Sequence, residues 1–391
     1  MIVLFFWVSA AVIAYAYAGY PLWIYVRSRM QPRRWKQADI QPSVSIIMAV
    51  HNGAKVLREK INHLLSLDYP PGLVEVLVVS DGSDDGTNEI LGGIQDPRLI
   101  TIICPEHRGK ANALNHGVSR ATGDIVVFVD IRPKLEPEAL RQIVSNFADP
   151  GVGCVAGELC LRIADHDAGT KAVSSLYWRY EQGIRKCEAL VDSPVGVYGG
   201  FYAVRRNLAT VIPEGLILDD MYQPLSIVRA GFRSVVDDRA RVWDIWPKTS
   251  SAELQRKVRT LAGNYQLVQK SPWLLGSTNR LRFQLISHKL VRLAVPFFLV
   301  ALLLANIGLR ASQPYATILL GQIVFYGLAL LGLVWDPPIL RRAAAPASAL
   351  VLLNAAAVMA LFLFLFRRSS LLGLWVTTPT VTAEKQTARA A

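Results

Sequence analysis

Cysteine is scarce in this chain, and its placement excludes more than its number does. The four residues, Cys104, Cys154, Cys160 and Cys187, form no Cys-x-x-Cys pair and no cysteine/histidine spacing. Neither a zinc site nor a disulfide framework is supported, and a reducing compartment is the plain reading. Charge is sparse as well: 18% of residues are charged against 52% hydrophobic, and mean hydropathy is +0.30. That is too apolar for an ordinary soluble protein and too charged for one that is all membrane, which leaves a soluble domain on membrane anchors. Acidic residues are outnumbered, 30 against 42 basic, for a net charge of +12. Nucleic-acid binding rests on that charge alone. The excess sits beside apolar spans and in one later helix without aromatic interleaving, so anionic lipid headgroups and phosphorylated substrates explain it better. There is no internal repeat.

Residues 1–26 carry no charged side chain and are long enough to cross a hydrocarbon core of about 30 Å. The run has no basic n-region and continues to Val26, so it reads as a retained span and not a cleaved signal. Arg27, Arg29, Arg33, Arg34 and Lys36 follow, and the positive-inside rule places the next domain in the cytoplasm. Three further spans fall at about 291–309, 315–335 and 347–366. Arg341 and Arg342 obey the same rule, and Arg367 and Arg368 break it. The expected organisation is an anchor over 1–26, an α/β domain over 42–250, amphipathic interfacial helices over 251–290, membrane helices over 291–366 and a polar tail over 367–391. In the amphipathic stretch Leu254, Val258, Leu261, Tyr265 and Val268 recur at helical spacing, with Arg256, Lys257 and Arg259 off the stripe.

The soluble region is organised around two buried strands that each end in a carboxylate. Val74 to Ser80 breaks at Asp81-Gly82-Ser83-Asp84-Asp85-Gly86-Thr87, and Asp124 to Val129 ends at Asp130 before Ile131-Arg132-Pro133. Near-continuous β-branched runs mean strands covered on both faces, hence a parallel-type sheet between helices, with further strands at 43–50 and 99–104. Ligands of such sheets lie at the carboxyl ends of strands, so Asp81 and Asp130 are expected in one crevice. Gly109-Lys110 opens a helix and is a plausible cradle for a diphosphate. Beyond Pro150 the reading is α+β, with a strand near 152–161 and a helix near 170–190. Gly199 and Gly200 clear room in an expected strand for a close approach, and Asp219-Asp220 precede a helix. Each carboxylate has a plainer role. Asp81 could equally cap its turn, Asp219 and Asp220 could cap the helix from Met221, and Trp178 and Tyr180 read as core.

Together these residues resemble the family 2 glycosyltransferases, in particular the membrane-anchored branch that includes synthases of hyaluronan, cellulose and poly-N-acetylglucosamine. The resemblance covers about residues 42–265. It implies an α/β GT-A fold with transmembrane helices, a nucleotide-sugar donor with UDP foremost, an acceptor that is a polysaccharide or a lipid-linked sugar, and a multi-pass protein of the cell membrane. The family's first strand motif falls on Ala49-Val50-His51-Asn52, its nucleotide-binding carboxylate on Asp81 followed by Gly82, and its basic residue near the diphosphate on Lys110. Its Asp-x-Asp motif, which holds Mg2+ or Mn2+, falls on Asp130-Ile131-Arg132, where Arg132 replaces the second carboxylate. The resemblance therefore gives Asp130 as metal ligand and Arg132 as a donor contact in an uncertain cation site. Its general base falls on Asp220, supported by Asp219, and its acceptor-side glycines on Gly199 and Gly200. The Gln-x-x-Arg-Trp motif of processive members becomes Arg256-Lys257-Val258-Arg259-Thr260, which keeps Arg259 as a diphosphate contact, puts Arg256 in place of Gln and loses the Trp that stacks on a sugar ring. Processive polymerisation is thereby in doubt. The rival reading within the same fold is a scaffold or transport subunit of a polysaccharide export system that has lost activity.

Overall fold

A computed structural model describes residues 1–162, 168–245, 250–334 and 341–366. The expected tail over 367–391 lies outside the described residues. In chain order the elements are α1 (Ile2–Met30), β1 (Val44–Val50), α2 (Ala54–Leu65), β2 (Val74–Asp81), α3 (Thr87–Gly92), β3 (Leu99–Cys104), α4 (Lys110–Arg120), β4 (Ile125–Val129), β5 (Lys134–Leu135), α5 (Ala139–Ser145), β6 (Val152–Arg162), α6 (Ala168–Val191), β7 (Phe201–Arg205), α7 (Asp219–Arg229), β8 (Arg233–Ile245), α8 (Ser250–Lys270), α9 (Arg282–Gly308), α10 (Gln313–Val334) and α11 (Arg341–Phe366).

All eight strands form one sheet in the order β3-β2-β1-β4-β7-β6-β8-β5. The first four are mutually parallel, with Val50 beside Ser80, Asp81 beside Cys104 and Ile47 beside Phe128. Alternate residues of each strand enter opposite cores, as the pleat requires. Ile46, Met48, Val76, Val78 and Val127 meet Leu57, Ile61 and Leu64 of α2 and Leu140 and Ile143 of α5. Ile47, Leu77, Val79 and Phe128 meet Ala113 and Leu114 of α4 and Leu225 and Ile227 of α7. Burial on both faces explains why these strands read as unbroken apolar runs.

The second half is mixed, in line with the α+β reading beyond Pro150. β7 runs antiparallel to both β4 and β6, with Val129 beside Phe201. The strand expected to start near Val197 begins at Phe201, because Tyr198 to Gly200 turn under the end of β4, where Asp130 N–H donates to Gly200 O at 3.2 Å. That reversal places the Gly199 turn and the end of β4 side by side.

Among the described residues four helices are long and apolar enough to cross a membrane: α1, α9, and the stretches Gln313–Leu333 and Ala344–Phe366. The second is a continuous helix from Arg282, and its part over Val291–Gly308 coincides with the span expected there. Lys289 and Arg292 fit inside it because the soluble domain neutralises them. Glu181 of α6 lies 3.2 Å from Lys289 Nζ and pairs with Arg292, while His288 sits between Glu181 (3.1 Å) and Glu188 (2.8 Å). Tyr20 of α1 donates to Glu188 at 2.6 Å. α8, expected along the membrane surface, sets Val258 and Ala262 against Ala356 and Ala360 of α11. One turn further on it holds the chain before α7: Ile217 N–H donates to Gln266 Oε1 (3.0 Å), and Gln266 Nε2 donates to Gly215 O (2.7 Å).

Candidate active site

The carboxyl end of β4 and the start of α7 converge on one side chain, Lys110. Its Nζ is 3.1 Å from Asp130 Oδ1 and 3.3 Å from Asp219 Oδ1. These acids, with Asp220, hold the ammonium protonated against the burial that would lower its pKa. Lys110 reaches them because Asp81 fixes the residues before it. The Asp81 carboxylate accepts the N–H of Arg108 (3.0 Å) and of Gly109 (2.7 Å) and lies 2.8 Å from His107 Nδ1. Asp81 is fully buried, and in this structure its carboxylate organises the loop that opens α4. Gly82 has a φ of +60°, and a Cβ there would sit 2.4 Å from His107 N, so only glycine allows the loop to close. Asn52 takes a φ of +57°, with its Oδ1 accepting Asp84 N–H at 3.0 Å, a left-handed conformation that Asn tolerates. The His51 ring stacks on His107 at 3.9 Å.

Asp219 and Asp220 share a helix N-terminus and differ in surroundings. Asp219 is buried and accepts Tyr202 Oη–H at 3.1 Å. Tyr202 is in turn stacked on Phe128 at 4.7 Å. Asp220 is half-buried, and its Oδ1 is shielded from solvent with no hydrogen-bond partner among the described residues. Burial, then the Asp219 charge, pushes its pKa up to about 6, while Lys110 and Arg185 pull the other way. Gly199 lies on this carboxylate: a Cβ there would come within 2.9 Å of Asp220 Oδ2. A Cβ on Gly200 would meet the Tyr198 ring at 2.6 Å, so Gly200 is closed by its own neighbour.

The remaining expected residues lie around this centre at different removes. Arg132 turns its guanidinium to Asp244 of β8, 3.3 Å away. The Arg256 charge acts on the Tyr198 hydroxyl, and half-buried Arg259 follows one turn later on α8. Sequence reasoning missed Lys60, which is buried and donates to Pro133 O beneath the Asp130 loop. Burial pulls its pKa down to about 7 against the opposing charges of Asp130 and Asp244. The signal was there: Lys60 interrupts the Leu57, Ile61, Leu64 stripe of α2. Tyr202 was missed too, since a strand pattern gives no sign of which buried residue faces a site.

Residues 45–209 match Glycosyl transferase family 2. The chain is 23% identical over 248 residues to the poly-beta-1,6-N-acetyl-D-glucosamine synthase of Staphylococcus aureus strain COL, covering 62% of this chain and 59% of that protein. It is 22% identical over 274 residues to the synthase of the same description from Staphylococcus epidermidis, covering 69% of this chain and 66% of that protein. The aligned part thus spans less than two thirds of these relatives. Its fold matches that of a mannosyltransferase from Pyrobaculum calidifontis, solved with GDP-Man and Mn2+, with a TM-score of 0.71 and 23% identity over 93% of this chain and 99% of that one. The fold is therefore the GT-A arrangement expected, with a mixed sheet.

Proposed function

With residues 45–209 forming a family 2 glycosyl transferase domain, we propose that this chain is a membrane-bound inverting glycosyltransferase that moves a sugar from a nucleotide sugar to a hydroxyl of a polysaccharide or lipid-linked acceptor. Asp220 carries the reading: a half-buried carboxylate with one unpartnered oxygen, a raised pKa near 6 and a glycine-cleared approach over it. At neutral pH it is largely ionised and can take the proton of an acceptor hydroxyl. The hydroxyl oxygen then bonds to the anomeric carbon as the carbon–oxygen bond to the diphosphate breaks, and the electron pair leaves with the diphosphate. Lys110 places positive charge beside that leaving group, and Asp219 with Tyr202 fixes Lys110 against Asp220. A scaffold that had lost activity would have no use for this arrangement of three acids around one lysine.

Among the described residues no group of three or more Asp, Glu, His or Cys is placed to hold a metal ion. The Asp130 side chain is 42% exposed at its strand end, and a magnesium-type ion needs only one or two carboxylates when phosphates and water complete its shell. Asp130 therefore fits such an ion and would hold it. The bound cation would supply further neutralisation of the diphosphate. Four membrane-crossing helices, with the basic run after α1, support a catalytic domain on the cytoplasmic side.

The relatives and the structural neighbour suggest UDP-N-acetylglucosamine and GDP-mannose as first donors to try, with UDP-glucose as a third. Nucleotide diphosphate release from each donor by the full chain in lipid tests the reading. Release expected in the wild type and lost in Asp220→Asn supports it, whereas equal release by both proteins overturns it.

A further inference from the structure

Between α8, the start of the membrane-crossing part of α9 and the end of α11 lies a cavity of about 600 Å³, within the usual range for ligand pockets, roughly 300–1,000 Å³. Val268, Leu293, Phe297, Leu361 and Phe364 line it. Tyr265 of α8 stacks on Phe364 at 5.5 Å, which joins two of the walls. The polar groups on the lining are Asn264, Gln269 and the Tyr265 hydroxyl, and none of the lining side chains is charged. Leu293 follows Arg292, whose guanidinium pairs with Glu181 of the soluble domain, so the cavity sits at the domain-facing end of the bilayer. Phe297 is 51% exposed, which leaves the cavity open to the lipid side.

The lining says what fits there. A polysaccharide threaded through would leave most of its hydroxyls dry and unpaired, whereas a hydrocarbon chain needs no partners. Asn264 adds one polar requirement. It is 4% exposed, its Nδ2 donates to Thr260 O at 2.9 Å, and its Oδ1 is shielded with no hydrogen-bond partner among the described residues. A dry acceptor oxygen on the wall of a cavity is completed by a donor that the occupant brings. The same helix reaches the reaction centre. A Cβ on Gly263 would stand 2.6 Å from the Leu218 side chain, and Leu218 immediately precedes Asp219 and Asp220. Arg256, Lys257 and Arg259 lie within about two turns before Asn264 on α8, a basic flank suited to the anionic headgroup region.

Resting on the function proposed above, we propose that this cavity holds the hydrocarbon chain of the acceptor, with one head hydroxyl donating to Asn264 Oδ1 and the reacting hydroxyl turned to Asp220. The acceptor is then a lipid-linked sugar and not a free polysaccharide end.

A dodecyl glucoside with a photoreactive diazirine in its chain, added at low mole fraction to the full chain in phosphatidylcholine nanodiscs, tests the binding without turnover. Peptides carrying Leu293, Phe297 and Leu361 should be labelled about fivefold more than by phosphatidylcholine bearing the same diazirine, the scale of one hydrogen bond. Plain dodecyl glucoside should compete, and methyl glucoside, the same head without the chain, should not. Ala294→Trp fills the cavity from α9 and Leu361→Trp fills it from α11; whichever retains the wild-type melt should lose the labelling, and Asn264→Leu should erase the preference over phosphatidylcholine. Equal labelling by the two photoreactive lipids would mean a bilayer lipid only and would overturn the inference, as would labelling that survives the filling variants. In nucleotide release, dodecyl glucoside should be the better acceptor, with a KM below that of methyl glucoside by about the same factor; release with no preference for the chain overturns the acceptor assignment. Absence of all release would sink the function above and leave the labelling to decide what the cavity holds.

Discussion

Gly199 rests on the carboxylate of Asp220 so closely that a single added methyl group would stand 2.9 Å from Oδ2 and 3.0 Å from Cβ. The backbone at Gly199 does not need a positive φ, so the contact alone asks for glycine there. Gly199→Ala should displace Asp220 and lower kcat at least tenfold, about 1.4 kcal/mol of barrier, with little change in Tm. Initial rates of nucleotide release beside a thermal melt check it. An unchanged kcat would mean that Asp220 is not the base.

The raised pKa of Asp220 gives the rate a direction with pH. The base must be ionised, so kcat should fall as pH drops through about 6 and level off above it. Asp219 raises that pKa and Lys110 lowers it. Asp219→Asn should therefore move the acid limb to lower pH, and Lys110→Met should move it to higher pH while also reducing the plateau. A pH profile of kcat for the three proteins reads both signs.

Asp81 is expected to act through the loop it holds. Asp81→Ala leaves the N–H groups of Arg108 and Gly109 without an acceptor at a fully buried position, at a cost of about 1–3 kcal/mol for each. The melt should drop by several degrees, and Asp81→Asn, which retains one acceptor, should drop less. A rise in donor KM with an unchanged melt would instead place this carboxylate against the nucleotide.

The Glu181–Arg292 pair joins the soluble domain to a membrane helix out of reach of water. Removing one partner strands the other charge, and a buried pair broken this way loses about 3–5 kcal/mol. Glu181→Gln and Arg292→Met should each lower the thermal midpoint in detergent. The double variant should lose less than the sum of the two, since the Glu181–Arg292 coupling is counted in each single variant, while Lys289 still loses its acid in both variants that lack Glu181.

Strand ends were the most legible part of the site. Asp81 and Asp130 follow runs too apolar to be anything but covered strands, and turn residues after each mark where the strands stop. The second half was read less well. The β6–β7–β8 region mixes parallel and antiparallel pairs, and short strands of either kind have the same two-residue period. The helix leading into the span at 291–309 was not legible, because Lys289 and Arg292 look like its edge until Glu181 is seen beside them. Trp178, read as core on its spacing, does pack against the core, and it also meets Arg185 and Tyr198.

By itself the sequence settled what depends on neighbours along the chain: apolar period, breaker residues, and stretches long enough to cross a bilayer. Those are local free-energy preferences, and each is written within a window of some twenty residues. Only the tertiary structure decided that Asp81 would be buried under Gly109 and that Lys110 would stand between Asp130 and Asp219. Those outcomes follow from strand register and from helices packed across the sheet. Long-range register depends on the whole core at once, and no short segment carries it.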